Sequence, residues 1–395
     1  MKKEQFIFLK SKVSDANPNV HKDTLNFLNE LHYADIDFDA NIFFIESGGT
    51  EEIFRSIYKD YKEPYYLIAT EANNSLPASL EIVSFLNLNN LENKLFHGHP
   101  NDVRNQLIKA KEDTPSFYRE LNLKDKILDN MNLGVIGKPS DWLISSLVDY
   151  KEVKDKFGAN LIDISFEEFK SEVEKAPYDE SSPYFEFKNK IINKDEIKLA
   201  LKIYHALKVL IAKYNLNALT VRCFDLLSTI HSTSCLALAI LNKDGIVATC
   251  EGDVPAMLSM CIVKKMFNES SFQSNPSYVD IKNNSAYLAH CTLPLDMCSS
   301  FRLDTHFESG IGVGIKGEMF EKRITVFKLS SKLDKFAVFT GKIRSNLNES
   351  NLCRTQINVE FDDPVSLLLS SPCGNHLVIF YGSYKDEILK KLSYK

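Results

Sequence analysis

The sequence predicts an α/β protein made of two parallel-sheet units followed by a mostly antiparallel, barrel-type C-terminal domain. Three observations point there. Short apolar, β-branched runs alternate with longer amphipathic segments through the first two thirds of the chain, the rhythm of a parallel sheet covered on both faces. Beyond Phe272 helical pattern is scarce, and short β-rich runs follow one another across polar turns, as in an antiparallel barrel or sandwich. The length of 395 residues exceeds one ordinary domain, and the changes of texture divide it as 1–130, 131–272 and 273–395.

Composition narrows the function classes. With 44% hydrophobic and 25% charged residues the chain is of soluble globular type. A net charge of −6 gives no reason to expect a nucleic-acid or membrane partner. The apolar run Phe6–Leu9 is too short for a signal-peptide core. The uncharged run Leu226 to Asn242 carries Ser, Thr and His231 and falls short of a membrane span. A cytoplasmic protein is expected. All eight cysteines lie between Cys223 and Cys373 without a Cys-x-x-Cys, so reduced, mostly buried thiols are expected. Cys373 and His376 form the one close Cys/His pairing of zinc type.

In the first unit, strands are predicted at Phe6–Leu9, Ile42–Ile45 and Tyr65–Ala69. Helical pattern covers roughly 22–31, 51–58, 78–85 and 101–108. Glu46-Ser47-Gly48-Gly49-Thr50 is a tight turn into a helix, either a plain connection or a loop that receives a substrate hydroxyl or anion. It matches no nucleotide fingerprint. His97 and His99 form a loop, or share a strand face as a ligand pair. The second unit opens at Asn132–Gly137, with Ser140 or Asp141 as the cap of a following helix. Asn160–Ile164 and Ser165-Phe166-Glu167-Glu168 repeat that pattern. A turn-rich loop or hinge covers 175–183, a long helix runs from about Asp195 to Tyr214, and Ala218–Val221 is a strand.

Next comes Thr249-Cys250-Glu251-Gly252-Asp253-Val254-Pro255, between a β-branched run and an apolar helix. An acidic pair thus stands where open sheets present functional groups, or Asp253 simply caps the helix. In the β-rich third, strands are predicted at Tyr278–Ile281, Ala286–His290, Ile311–Ile315, Ile324–Phe327, Phe336–Phe339, Gln356–Val359 and Leu377–Phe380. Glu251, Asp280, His290 and His376 together would suit Mn²⁺ or a similar divalent ion with positions open for substrate. Taken singly, Asp280 reads as a turn residue and the histidines as satisfied core groups.

From about Ala218 onward the chain resembles the L-fucose and L-arabinose isomerase superfamily, particularly its shorter members. The resemblance rests on Cys250-Glu-Gly-Asp-Val254, Asn275-Pro-Ser-Tyr-Val-Asp280 and Ala289-His-Cys-Thr-Leu-Pro294. It continues in Thr305-His-Phe-Glu-Ser-Gly310, Cys353-Arg-Thr-Gln356 and Pro372-Cys-Gly-Asn-His376. It implies two Rossmann-like units and a barrel-type domain, assembled as a homo-oligomeric trimer or hexamer. It implies Mn²⁺ or another divalent cation held by Glu251, Asp280, His290 and His376. Glu251 and Asp280 would be the acid/base pair, and His306, Arg354 and Asn375 would bind the sugar. The implied activity is aldose–ketose isomerisation of a non-phosphorylated monosaccharide through an ene-diol. A sugar-binding or regulatory protein that kept the fold and lost catalysis is the alternative. Arg222, Arg302 and Arg354 either favour an acidic or sulfonated sugar or are structural ion-pair partners.

Overall fold

The computed structural model describes residues 1–11, 19–110, 118–178, 183–184 and 192–393; Asp179, Glu180, Ser181 and Ser182 of the expected 175–183 loop lie outside them. In the first unit β1 (Phe6–Leu9), β2 (Ile42–Ile45), β3 (Tyr65–Ala69) and β4 (Asn93–His97) pair in sequence order, all parallel. Helices α1 (Val20–Leu31), α2 (Glu51–Ile57), α3 (Ser75–Leu88) and α4 (Pro100–Ile108) accompany them. Every residue of β2 is buried, as a strand covered on both faces requires. The sequence reading missed β4, whose polar first half hides the buried Leu95, Phe96 and His97. It also shortened α3, which is buried nearly all round between this sheet and the C-terminal barrel and so shows no simple apolar stripe.

A short strand, β5 (Arg119–Glu120), leaves this unit and joins the C-terminal sheet. The second parallel sheet contains β6 (Asn132–Ile136), β7 (Asn160–Ile164), β8 (Ala218–Val221) and β9 (Val247–Cys250), in the order β7-β6-β8-β9. Its helices are α5 (Tyr150–Phe157), α6 (Phe166–Lys175), α7 (Lys194–Tyr214), α8 (Asp225–Thr229), α9 (Cys235–Lys243) and α10 (Val254–Phe267). The helix expected to open at Ser140 or Asp141 is instead a series of turns. Tertiary contacts override the local cap there: Arg222 donates to Pro139 O and to both oxygens of Asp141. The helix starts eight residues later, capped by Asp149, whose side chain accepts from Lys151 N and Glu152 N.

The third sheet is a closed barrel. β10 (Phe272–Asp280), β11 (Ser285–His290), β14 (Arg323–Leu329), β15 (Lys335–Asn346), β16 (Thr355–Phe361) and β17 (Leu377–Tyr381) pair in the order β14-β17-β10-β11-β16-β15, and β14 pairs with β15 to close it. The pairings around this ring are antiparallel, and closure removes its free edges. β12 (Cys298–Asp304) and β13 (Gly314–Met319) form a separate antiparallel ribbon, and α11 (Leu367–Ser370) and α12 (Lys385–Leu392) complete the chain. The strand expected over Ile311–Ile315 begins only at Gly314. Gly312 has a positive φ of 66° and lies where a Cβ would meet Thr233 Oγ1 at 2.7 Å, so the backbone turns there.

The cores are shared across units. One apolar cluster runs from Phe43 and Leu80 to Val326 and Phe339, and another joins Val135 and Leu258 to Phe327 and Phe380. This continuity fixes the loop after β9 against the barrel. Gln273 of β10 bridges them directly, accepting from Cys250 N at 2.8 Å and donating to Cys250 O at 3.3 Å. At the turn itself Gly252 has φ of 73°, and a Cβ would lie 2.5 Å from Lys138 O. Gly252→Ala therefore meets both the left-handed backbone and a close backbone neighbour. A loss of about 1–3 kcal/mol in chemical denaturation is expected, with a larger fall in whatever activity depends on Glu251.

Candidate metal and sugar site

Glu251 stands at the carboxyl end of the second parallel sheet, just past β9, where the strand-to-helix connection opens. Its own φ is +66°, an unfavourable conformation for a side-chain-bearing residue that structure must impose. Ser140 N donates to its carbonyl at 2.9 Å, and Trp142 Nε1 donates to Oε2 at 2.7 Å. The second carboxylate oxygen faces two histidines from the barrel. His376 Nε2 lies 3.3 Å and His290 Nε2 3.8 Å from Glu251 Oε1. Ligand atoms of these three buried residues all lie within 4.8 Å of one another.

Both histidines are held through the opposite ring nitrogen. His290 Nδ1 is 2.9 Å from Thr292 Oγ1. His376 Nδ1 is 2.9 Å from Asp253 Oδ2, and the same oxygen accepts from Lys328 Nζ at 2.7 Å. Lys328, Asp253 and His376 are all fully buried. Asp253 Oδ1 meanwhile accepts from Ala256 N, so the residue read as a helix cap is that and the orienting group of His376 as well. His376 Nε2 is near enough to Glu251 for charge attraction yet makes no aligned hydrogen bond. A nitrogen left free in this way, beside a second imidazole and a carboxylate, fits a divalent ion: the Nδ1 partners fix ring orientation and the Nε2 atoms remain as ligands.

The electrostatics agree with that geometry. Burial lowers the basicity of His376, but Glu251 and Asp253 outweigh it and bring its pKa to about 9. Burial pushes Glu251 up, while the His376 and His290 rings beside it hold it below the usual carboxylate range. Burial likewise pushes Asp253 up, but Lys328 and His376 outweigh it and bring its pKa down to about 2. Without metal, His376 is thus an imidazolium between two carboxylates. Because its pKa is raised from 6.5, its contribution to stability is complete below about 6.5 and is lost as pH rises through about 9. Denaturation of metal-free protein across pH should show this alkaline loss, and His376→Gln should flatten it. Divalent-ion binding must displace that proton, so proton release should accompany loading below about pH 9.

The surrounding cleft is lined by Gly48, Gly49 and Glu51 of the first unit, Trp142 and Phe224 of the second, and Asn275, His306, Glu308 and Asn375 of the third. Of the residues expected from sequence, Glu251, His290 and His376 meet, and His306 and Asn375 line the same cleft. Arg354 is not among the lining residues: its Nε donates to Thr305 O at 2.7 Å and lies 3.7 Å from Asp304 Oδ1. Arg222 is engaged by Asp141 and Asp225. Both arginines thus have acidic partners within the chain.

Asp280 is a correction. Its carboxylate accepts from Asn283 N and Nδ2 at 3.0 and 2.7 Å, at the β10–β11 turn, and it borders a different groove with His97, His99 and Tyr278. The reason is register. In the antiparallel hairpin Asp280 faces Ser285 beside the turn, whereas His290 lies at the far end, next to the Asn275–Ala289 pair. Five residues of strand separate Asp280 from Asn275, roughly 16 Å. Asn275 takes the place in the cleft, its Nδ2 donating to Asn375 O at 3.2 Å. His97 is a satisfied core histidine: Nδ1 lies 3.0 Å from Ala69 O, and Nε2 accepts from Val279 N at 3.1 Å. The eight cysteines are all free thiols, and Cys373 is not part of the metal-type cluster.

No family model matches the chain. Among curated proteins it is similar to sulfoquinovose isomerases. That of Alkalicoccus urumqiensis is 24% identical over 225 residues, 55% of this chain and 49% of the relative. That of Priestia megaterium is 21% identical over 291 residues, 69% and 65% respectively. That of Clostridium sp. strain MSTE9 is 28% identical over 202 residues, 48% and 45%. The chain therefore spans about half to two thirds of the length of the curated relatives it matches. Among the described residues, no helix is long and apolar enough to cross a membrane.

Proposed function

We propose that the chain is a metal-dependent aldose–ketose isomerase acting on a monosaccharide through an ene-diol, in the manner of fucose and arabinose isomerases. The observation that carries this reading is the convergence of Glu251 Oε1 and two Nε2 atoms on one point of a polar cleft. The name sulfoquinovose isomerase on three relatives supports it. Glu251, His290 and His376 would hold a divalent ion of the Mn²⁺ kind, which when bound supplies polarisation of the sugar carbonyl and stabilises developing oxyanion charge.

The chain's own groups do the rest. Glu251 removes the proton from the carbon beside the carbonyl, can exchange it with solvent while the ene-diol is held, and returns a proton to the former carbonyl carbon, as the hydroxyl proton of the first carbon passes to the former carbonyl oxygen. One carboxylate can serve both steps if the ene-diol stays in place. Trp142 holds the other Glu251 oxygen and fixes which one is presented. Asp253 keeps His376 turned so that Nε2 faces the cleft. Phe224 packs edge-on against His306 at 5.5 Å, and Asn275, Asn375 and Glu308 offer hydrogen-bonding groups to sugar hydroxyls. The same reading includes a trimeric or hexameric homo-oligomer in the cytoplasm, and a substrate that is a modified, for example sulfonated, hexose or a plain pentose or hexose. Incubating Mn²⁺-loaded protein with pentoses, 6-deoxyhexoses and sulfohexoses, with ketose formation followed by NMR, tests it: conversion of at least one is expected. A catalytically silent sugar-binding protein would bind without converting any.

A further inference from the structure

Resting on that reading, we infer that Glu51 of the first unit is a substrate-binding and specificity-determining residue. It donates a hydrogen bond to a sugar hydroxyl, while Asn375 Oδ1 accepts one, and so the cleft wall they form selects an uncharged polyol stretch over an anionic group. The glycine turn before α2 brings Glu51 into the cleft, where Gly48 and Gly49 also form part of the lining. Glu51 is only 2% exposed, and its Oε2 has no hydrogen-bond partner. Asn375, 4% exposed, lines the same cleft with its Oδ1 also unpartnered. Buried polar atoms are nearly always satisfied, and each exception calls for an explanation. Here the two orphans share one cavity, which makes a ligand the economical explanation.

The chemistry of the ligand follows from the two atoms. Burial first, and then the charges of Glu81, Glu251 and Glu308, raise the Glu51 carboxyl well above the usual carboxylate range. A neutral carboxylic acid donates through its O–H, whereas an amide oxygen only accepts. Sugar hydroxyls both donate and accept and can satisfy the two together. A sulfonate, carboxylate or phosphate only accepts, leaves Asn375 Oδ1 unpaired, and brings negative charge beside Glu251 and Glu308. Glu308 stands at the cleft mouth with much of its surface in solvent, hydrogen-bonded by Asn74. If the substrate carries a sulfonate, that group therefore points away from this wall.

The chain supplies its own probe. Trp142 is its one tryptophan, and its Nε1 is bonded to Glu251 in the cleft, so fluorescence reports cleft occupancy. Unreactive five- and six-carbon alditols, and the same alditols carrying a terminal sulfonate, would be titrated into full-length, Mn²⁺-loaded protein. Glu51→Leu is expected to weaken binding of the plain alditol about tenfold. Glu51→Gln should weaken it less, since the amide still donates. Circular dichroism checks the fold of each, and if Glu51→Leu does not fold, Glu51→Asp, which withdraws the carboxyl, serves in its place with the same expected loss. In turnover the effect should fall on KM more than on kcat. Unchanged alditol affinity in Glu51→Leu overturns the assignment and indicates bound water as the partner of both orphan atoms; a wild-type preference for the sulfonated over the plain alditol that disappears in Glu51→Leu overturns it too, because the anion then sits at this wall. Absence of isomerisation with intact, Glu51-dependent alditol binding would instead overturn the proposed reaction alone.

Discussion

Replacing Glu251 with glutamine is expected to lower sugar isomerisation by about 10²–10⁴-fold while the chain stays folded. The amide keeps the shape and can still accept from Trp142, so the turn after β9 has no reason to collapse. What disappears is the basic oxygen that faces His290 and His376. The variant should also bind a divalent ion more weakly, because two neutral imidazoles remain where two imidazoles and a charge stood. With the carboxylate gone, one of the two groups that raise the His376 pKa is lost, so its titration should move back toward the ordinary histidine range. Steady-state rates, metal affinity by equilibrium dialysis, and the histidine NMR titration check the three consequences separately. Wild-type turnover in this variant would remove Glu251 from the chemistry.

Lys328→Met is expected to destabilise the protein by about 3–5 kcal/mol, the effect of leaving one member of a buried ionic network without its partner. Lys328 and Asp253 are both completely buried and lie 2.7 Å apart. The loss should appear as a lower denaturation midpoint with unchanged slope. The double variant Lys328→Met with Asp253→Asn should recover much of it, because the uncompensated charge is then gone. Function should not recover in parallel. Asp253 also orients His376, and removing an orienting partner of a metal-ligating histidine typically costs about 10–100-fold in metal affinity or activity. A double variant restored in stability yet poor in metal binding would separate the two roles of Asp253.

Much of this was legible in the sequence, and the pattern of misses has a physical cause. Two parallel units and a barrel follow from texture alone, because β2 reads as an unbroken apolar run, β8 as a short β-branched one, and the last third as short strands with polar turns. Glu251 stood out because its strand end lies where open sheets present functional groups, although Gly-Asp-x-Pro reads equally as a helix cap, and the family resemblance carried its expected role. The spacing of the Asn275–Asp280 motif does not say which end of its hairpin reaches the cleft, and Asp280 is at the turn end. Strands that pair across Ile281–Asn284 put Asp280 beside the turn and His290 at the opposite end, a conclusion available from the turn position itself. Lys328 gave no sign: a lysine in a β run normally marks a solvent face, and only the tertiary fold sets it beneath α10, against Asp253. Trp142 was read as part of a helix because the cap signal was local, while the forces that hold it come from Arg222 and Glu251. Glu51 was hidden for a related reason. An acidic residue in the first turn of a helix is ordinary, and only its burial without a partner makes it notable.

In the proposed reaction Glu251 moves a sugar proton beside a divalent ion that it would hold together with His290 and His376. The most direct test is proton NMR of the sugar panel in D₂O with Mn²⁺-loaded protein removed before acquisition. The account predicts ketose formation with solvent deuterium appearing on the carbon beside the carbonyl in at least one sugar, and loss of both signals in Glu251→Gln. Metal-loaded, folded protein that neither converts nor exchanges the proton of any sugar offered would contradict it.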